Sequence, residues 1–182
     1  MKRKESIQLL IILDDVKKWS PYYPTDQVIS AEDYLFLEPY KSAKNIHIIN
    51  LCIDSGYLSL GHYCSMIAEA RGHKTLPSIK TMNDLQQKSL YMGDLDYLET
   101  KVNKIANELK GKSKETFEFL AVFGQALDPK LNQISMAIFS TYPVPLMRIV
   151  ISSKEDEWHI EKCEIVSLDV LNPETMEPVP HD

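Results

Sequence analysis

The sequence predicts an α/β fold in which helices flank a mostly parallel, Rossmann-like sheet and a β-hairpin lies near the C-terminus. Residues 45–77 form a strand, loop, helix and strand pattern, which is a βαβ unit with parallel strands. The apolar run at 6–13 is typical of a parallel strand that is covered on both faces. Two β-rich segments, 146–152 and 157–168, flank turn-forming residues and predict the hairpin.

The βαβ unit organises the rest of the prediction. Its first strand, at 46–52, is rich in β-branched residues and is too short for a typical helix. The helix begins near Ser59, repeats apolar residues every three or four positions, and ends at Gly72, where a glycine suits a left-handed cap. A second strand follows at 73–77.

The remaining elements follow from local patterns. They are a strand at 27–30, a helix with Ser30 as its N-cap, helices at 80–92 and 94–109, a strand at 115–123 with alternating apolar residues, and a helix that starts at Asp128 and Pro129. A sheet whose strands alternate with helices in this way is typical of a Rossmann-like domain.

Length and composition indicate one globular domain. The chain has 182 residues, of which 44% are hydrophobic and 25% are charged, so it can bury a substantial core. We expect a single α/β domain over 1–171 and a loose, proline-bearing tail at 172–182. The net charge of −6 argues against a nucleic-acid partner, and no apolar segment is long enough for a membrane.

The cysteines and glycines indicate a reducing compartment and no bound cofactor. Cys52, Cys64 and Cys163 are odd in number and widely spaced, which suits the cytoplasm and gives no zinc signature. The six glycines are scattered, so the clustered glycines of a phosphate-binding loop are missing. We therefore expect neither a cofactor nor a metal.

The loop at 53–58 and the start of the following helix form the candidate site. In open parallel sheets, ligands bind at the carboxyl edge, next to the free N–H groups of a first helical turn. Tyr57, Ser59 and Tyr63 place three hydroxyl groups there. Each also has a structural interpretation, because Ser59 suits an N-cap and the tyrosines can pack with one edge in water.

An enzymatic alternative depends on Cys52, or on Asp14 and Asp15, at the same edge of the sheet. A nearby helix N-terminus lowers the pKa of a thiol and favours the nucleophilic thiolate, but a free cysteine also serves as a small buried residue. The two aspartates equally suit a solvated turn or a helix cap. His62 is interpreted as a structural histidine rather than a metal ligand.

Beyond these patterns, one long segment resembles a known family. Residues 50–85 read NLCIDSGYLSLGHYCSMIAEARGHKTLPSIKTMNDL. They resemble the N-terminal RLAN domain of RimK-type ATP-grasp ligases, in which an N-L-C strand end, a Y-x-S-L-G-Y-Y loop and an A-E-A-R-G-H helix end occur together. VISAEDYL, FGQALDP and IFSTYPVPLMRIVI match further family segments, so the resemblance spans about residues 11–151. It implies a pre-ATP-grasp-like fold.

The resemblance also implies a set of ligand-binding or partner-binding positions and no catalytic residue. They are Asn50, Cys52, Tyr57, Ser59, Gly61, Tyr63, Arg71 and His73. Arg71 and His73 also suit the negative pole of the helix, where they would only stabilise it. His62 stands where the family pattern has tyrosine.

In that family, an ATP-grasp module follows the domain, activates a carboxylate as an acyl phosphate and joins it to an amine. After residue 168 we expect no room for such a module. The preferred hypothesis is therefore a non-catalytic accessory domain, which recognises a small-molecule or peptide substrate or docks on a separately encoded RimK-like ligase. The alternatives are the small enzyme described above and a truncated N-terminal part of a longer ligase.

Overall fold

The computed structural model describes residues 8–20, 22–110, 116–155 and 157–171. It divides the chain into two compact units, one formed by 1–82 with 167–182 and the other by 83–166. Each unit contains a four-stranded sheet. The prediction of one domain over 1–171 stays a prediction, and the predicted tail at 172–182 lies outside the described residues.

The first unit contains the predicted parallel sheet. Its strands are β1 (Gln8–Leu13), β2 (Val28–Ser30), β3 (Ile46–Asn50) and β4 (Lys74–Leu76), in the order β2-β1-β3-β4. Every neighbouring pair is parallel. The parallel Rossmann-like prediction is therefore confirmed, although Ser6 and Ile7 of the predicted first strand lie outside the described residues.

The helices of the first unit are short, and two of them begin directly after the predicted serine caps, Ser30 and Ser59. They are α1 (Ala31–Phe36), α2 (Glu38–Ser42), α3 (Leu60–Ala70) and α4 (Ile79–Leu85), the last of which crosses the boundary between the units. The Ser30 hydroxyl accepts a hydrogen bond from the Asp33 N–H at 3.0 Å, which is an N-cap bond. The core of this unit packs Leu10, Ile12, Tyr34 and Ile48.

The second unit contains an antiparallel sheet. Its strands are β5 (Phe117–Val122), β6 (Gln125–Ala126), β7 (Leu146–Lys154) and β8 (Glu157–Ile165), in the order β6-β5-β7-β8. The β7 and β8 pair confirms the predicted C-terminal hairpin. The sequence pattern does not indicate that β5 pairs with β7, because the paired residues lie about 30 positions apart in the chain.

The helices of the second unit differ from the prediction in two regions. They are α5 (Lys88–Leu95), α6 (Glu99–Lys110) and α7 (Asn132–Thr141). The predicted helix at 80–92 is broken at Gln87, whose φ of −110° and ψ of 91° are extended, so it forms α4 and α5. The Asp128 carboxylate accepts a hydrogen bond from the Lys130 N–H at 2.9 Å and is an N-cap as predicted, but it caps the 3-10 turn Pro129–Leu131, and α7 begins only at Asn132.

The lengths and apolar character of the helices can be compared with what a membrane-spanning helix needs. Over the described ranges, none is both long enough and apolar enough to cross a bilayer.

Candidate functional site

The loop after β3 lies at the carboxyl edge of the parallel sheet. β1 and β3 are paired and parallel, so both strands end at this edge. Asp14, which follows β1, accepts a hydrogen bond at its Oδ1 from the backbone N–H of Ile53 at 3.0 Å. Asp15 accepts from the Lys17 N–H at 3.0 Å and caps a short 3-10 helix, Val16–Trp19. Both aspartates therefore hold backbone in place.

Asp54 folds this loop onto the start of α3. Its Oδ1 accepts a hydrogen bond from the Gly56 N–H at 2.8 Å. Its backbone carbonyl accepts from the Ser59 hydroxyl at 2.9 Å and from the Gly61 N–H at 3.2 Å. The Ser59 Oγ in turn accepts from the His62 N–H at 3.2 Å, so Ser59 is the N-cap that its position predicts.

Gly61 is required by close packing of backbone on backbone. A Cβ at this position would lie 2.5 Å from the Asp54 carbonyl oxygen and 3.0 Å from the Cβ of Cys52. No side chain fits at such distances unless the loop moves. This structural requirement is sufficient to explain the glycine in the motif.

Asn50 joins the end of β3 to α3 through a buried polar network. Its Nδ2 donates to the Gly61 carbonyl at 2.7 Å and to the Ser65 hydroxyl at 3.0 Å, while its Oδ1 accepts from the Cys52 N–H at 3.2 Å. The Ser65 hydroxyl donates to the Pro77 carbonyl at 3.0 Å. Because Asn50 and Ser65 are buried, these bonds satisfy groups that would otherwise be costly to bury.

Arg71 joins the end of α3 to the end of α1. Its guanidinium donates to the carbonyls of Tyr34 and Leu35, each at 2.7 Å, and lies 5.0 Å from the centre of the Tyr34 ring. The last carbonyls of a helix have no partner within the helix, so the positively charged fork satisfies two of them. Arg71 therefore stabilises the negative, C-terminal end of α1, whereas its sequence position predicts that it stabilises its own helix, α3.

His73 holds the hydroxyl of Tyr34 and the carbonyl of Ala43. Its Nε2 is 3.2 Å from the Ala43 oxygen, and its Nδ1 is 2.8 Å from the Tyr34 hydroxyl. A carbonyl oxygen only accepts, so Nε2 carries the proton and Nδ1 accepts from Tyr34. Burial lowers the pKa of His73, the Ala43 carbonyl opposes this shift, and the nearby charges of Arg71 and Lys44 support it.

Cys52 lies in an environment that suppresses thiolate formation. Its side chain is buried beside Cys64. The neighbouring Cys64 thiol and burial raise the pKa of Cys52, and the charge of Asp14 acts in the same direction. Cys52 is therefore a protonated, inaccessible thiol at neutral pH, which does not favour a nucleophilic role.

Six apolar or aromatic side chains in the loop at this edge and in the first two turns of α3 are exposed, and we call them the rim. They are Ile53, Tyr57, Leu58, Leu60, Tyr63 and Met66. Tyr57 is 71% exposed and Tyr63 is 39% exposed. The buried ring of His62 lies edge-on to both tyrosine rings, at centroid distances of 5.3 Å and 6.5 Å. Leu58 has a φ of 63°, a left-handed conformation that is rare for leucine.

The structure thus divides the eight predicted positions into two groups. Asn50, Cys52, Gly61, Arg71 and His73 contact other parts of the fold. Tyr57 and Tyr63 face solvent, with the partly buried Ser59 between them in the sequence. Their binding role stays a prediction.

Sequence reasoning missed two residues that build the site, Tyr34 and Ser65, and identified Asp54 only as a turn-forming residue of the loop. Ser65 carries the clearest signal, since a serine within the apolar stripe of a helix indicates a buried hydrogen bond. Tyr34 gives no local signal, because its partners lie more than 35 positions away in the sequence. Over the described residues, no cluster of three or more His, Cys, Asp and Glu side chains could hold a metal ion.

A comparison with models of protein families gives a match over most of the chain. A family model described as the RimK-like ATP-grasp N-terminal domain, RLAN, matches residues 31–181. The match includes α1, the whole βαβ unit and every element of the second unit. The comparison with curated proteins gave no match.

Proposed function

This chain belongs to the RLAN family of RimK-like ATP-grasp N-terminal domains, and from that premise we propose that it is a non-catalytic recognition domain of a RimK-like ligase system. Its rim would dock on an ATP-grasp module that carries out the ligase chemistry. The single observation that carries this proposal is the group of exposed apolar side chains at the carboxyl edge, inside the segment that matches the family.

The composition of the rim supports a protein partner. Two tyrosines and four aliphatic or thioether side chains lie within 14 consecutive positions, 53–66, and each is at least 37% exposed. Soluble proteins keep such clusters mainly where another molecule covers them, and tyrosine is enriched in protein interfaces. Asp54 orders this loop before any partner binds, so little conformational entropy is lost on docking.

The same edge gives little support to the enzymatic alternative. Cys52 is buried with a raised pKa. Asp14 and Asp15 already accept hydrogen bonds from backbone N–H groups. A nucleophile must be accessible and activated by a base, and Cys52 lacks the first property. The free cysteines also suit a reducing, cytoplasmic location for the proposed complex.

Docking is tested with a separately produced RimK-like ATP-grasp module. We expect binding by isothermal titration calorimetry, with an affinity that falls at least about tenfold in the double variant Tyr57→Ser, Tyr63→Ser, because buried tyrosines often contribute above about 1 kcal/mol each. The matched control is Tyr97→Ser, since Tyr97 is 60% exposed and lies outside the rim.

Two outcomes would contradict the proposal. One is the absence of any complex with the ATP-grasp module. The other is an equal loss of affinity in the Tyr97→Ser control. If a substrate peptide or small molecule, and not the module, shifts the thermal midpoint and loses this effect in the rim variant, the rim recognises substrate.

A further inference from the structure

The second unit contains a basic cleft that the proposed function does not use. Its volume is about 230 Å³, and it lies between α6 and the segment that leads into α7. Three lysines line it, Lys101 and Lys104 from α6 and Lys130 from the 3-10 turn Pro129–Leu131. Ile105 and Pro129 supply its apolar surface.

The charge of the cleft is opposite to that of the chain. The whole chain has a net charge of −6, whereas the cleft lining has three lysines and one carboxylate, Glu108, which gives a local charge of +2. Within the described part of the chain, none of these lysines has an ion-pair partner. Other exposed lysines, such as Lys88 and Lys154, are paired with glutamate.

The local structure places the three lysines of the cleft near one another. Lys101 and Lys104 are three positions apart and share one face of α6, where like charges repel each other. The backbone of Lys130 is held by its N–H, which donates to the Asp128 carboxylate, and its side chain extends from this turn. The positive end of the ten-residue helix α7 lies next along the chain, and Gln133 in its first turn also lines the cleft. A bound anion would relieve this repulsion.

We propose that this cleft binds a compact, phosphate-bearing anion. Lysine ammonium groups are compact point charges that bind phosphate oxygens, and a phosphate group carries more negative charge in a small volume than a single carboxylate does. The volume is below that of typical pockets for drug-sized ligands, so it fits a small ligand with one or two phosphate groups. Gln133 supplies an amide donor to the same ligand.

Titration calorimetry with inorganic pyrophosphate at low salt tests this proposal. We expect one site per chain, and a tenfold or larger loss of affinity, on the order of one charged hydrogen bond, in Lys104→Gln, Lys130→Gln. Glu108→Gln removes a negative charge from the lining and should raise the affinity severalfold. Rising salt should weaken binding, because these charges are screened.

The control is Lys17→Gln, Lys74→Gln, which removes two exposed lysines that do not line the cleft and leaves the same net charge. It should bind pyrophosphate as the unaltered chain does. Three results would overturn the proposal: no binding at about 10 mM pyrophosphate, an equal loss in the control, or citrate binding as tightly as pyrophosphate. Circular dichroism verifies that each variant is folded.

Discussion

The inner side of α3 and the rim differ in how their polar and apolar groups are used. On the inner side, Asn50, Ser65 and His73 are buried, and each makes hydrogen bonds to side chains or carbonyls. On the rim, Tyr57 and Leu58 are more than half exposed. A folded chain usually buries apolar groups and leaves polar groups in water, and the residues named here are exceptions to this rule on both sides of the helix.

The difference shows which motif residues maintain the structure. A buried polar residue whose hydrogen bonds are all made inside the protein needs no ligand to explain it. Losing one of those bonds would leave a buried group unpaired and would destabilise the fold. An exposed apolar cluster has no such internal explanation. Two parts of the family motif, the N-L-C strand end and the R-G-H helix end, therefore hold the fold, and the Y-x-S-L-G loop between them carries the candidate recognition surface.

The largest expected effect is at Asn50. Asn50→Ala would leave the Cys52 N–H without its acceptor and would remove the buried donor to the Gly61 carbonyl and to the Ser65 hydroxyl. We expect the free energy of unfolding to fall by about 3 kcal/mol, measured by urea denaturation. Gln86→Ala changes an exposed amide and should have almost no effect. A loss below about 1 kcal/mol in Asn50→Ala would contradict the structural interpretation.

Gly61 allows a matched comparison of two helical glycines. Gly61→Ala places a Cβ 2.5 Å from the Asp54 oxygen, so we expect a loss on the order of 2 kcal/mol in unfolding free energy and faster amide exchange in the loop. Gly93→Ala meets nothing within 4 Å and should stabilise α5 by about 0.5 to 1 kcal/mol. Equal effects at both positions would show that helix propensity, and not close packing, determines the outcome.

His73, which lies on the inner side of α3, should make the free energy of unfolding depend on pH. Its pKa is lowered in the folded state, so below its ordinary value of 6.5 the unfolded chain binds the proton more readily. The stabilisation is fully present above pH 6.5 and is lost as the pH falls from there. His73→Gln keeps a hydrogen-bond donor and an acceptor but does not titrate. Between pH 7 and pH 5, the free energy of unfolding should therefore fall less steeply in this variant than in the unaltered chain, by less than about 1.4 kcal/mol per pH unit.

Urea denaturation at intervals between pH 8 and pH 5 measures this slope. Comparison at pH 8, where the imidazole is neutral in both states, separates the proton effect from any packing difference caused by glutamine. An unchanged slope in His73→Gln would mean that other groups cause the pH dependence.

The smallest expected effect on stability is at the rim. Tyr57→Ser removes a side chain that is mostly exposed, so the free energy of unfolding should change by less than about 0.5 kcal/mol. Thermal and urea denaturation of the variant provide the measurement. A destabilisation as large as that of Asn50→Ala would show that Tyr57 belongs to the packed part of the motif and would remove the distinction between the two sides.

Local patterns in the sequence predicted much of the framework. The βαβ unit and the C-terminal hairpin follow from periodic patterns within each segment, and the caps Ser30, Ser59 and Asp128 depend on residues at most three positions apart. The family motif could be recognised for the same reason, since its residues are contiguous. The exposed loop at the carboxyl edge also followed, because parallel strands end together.

Only the tertiary structure decided what the motif residues contact. Arg71 and His73 bind carbonyls and a hydroxyl that lie 30 to 39 positions away, and Asn50 reaches a serine 15 positions further along. The pairing of β5 with β7 and the break between α4 and α5 were likewise set by packing. These contacts form when distant segments meet, so their energies depend on burial and on partner geometry that neighbouring residues do not encode.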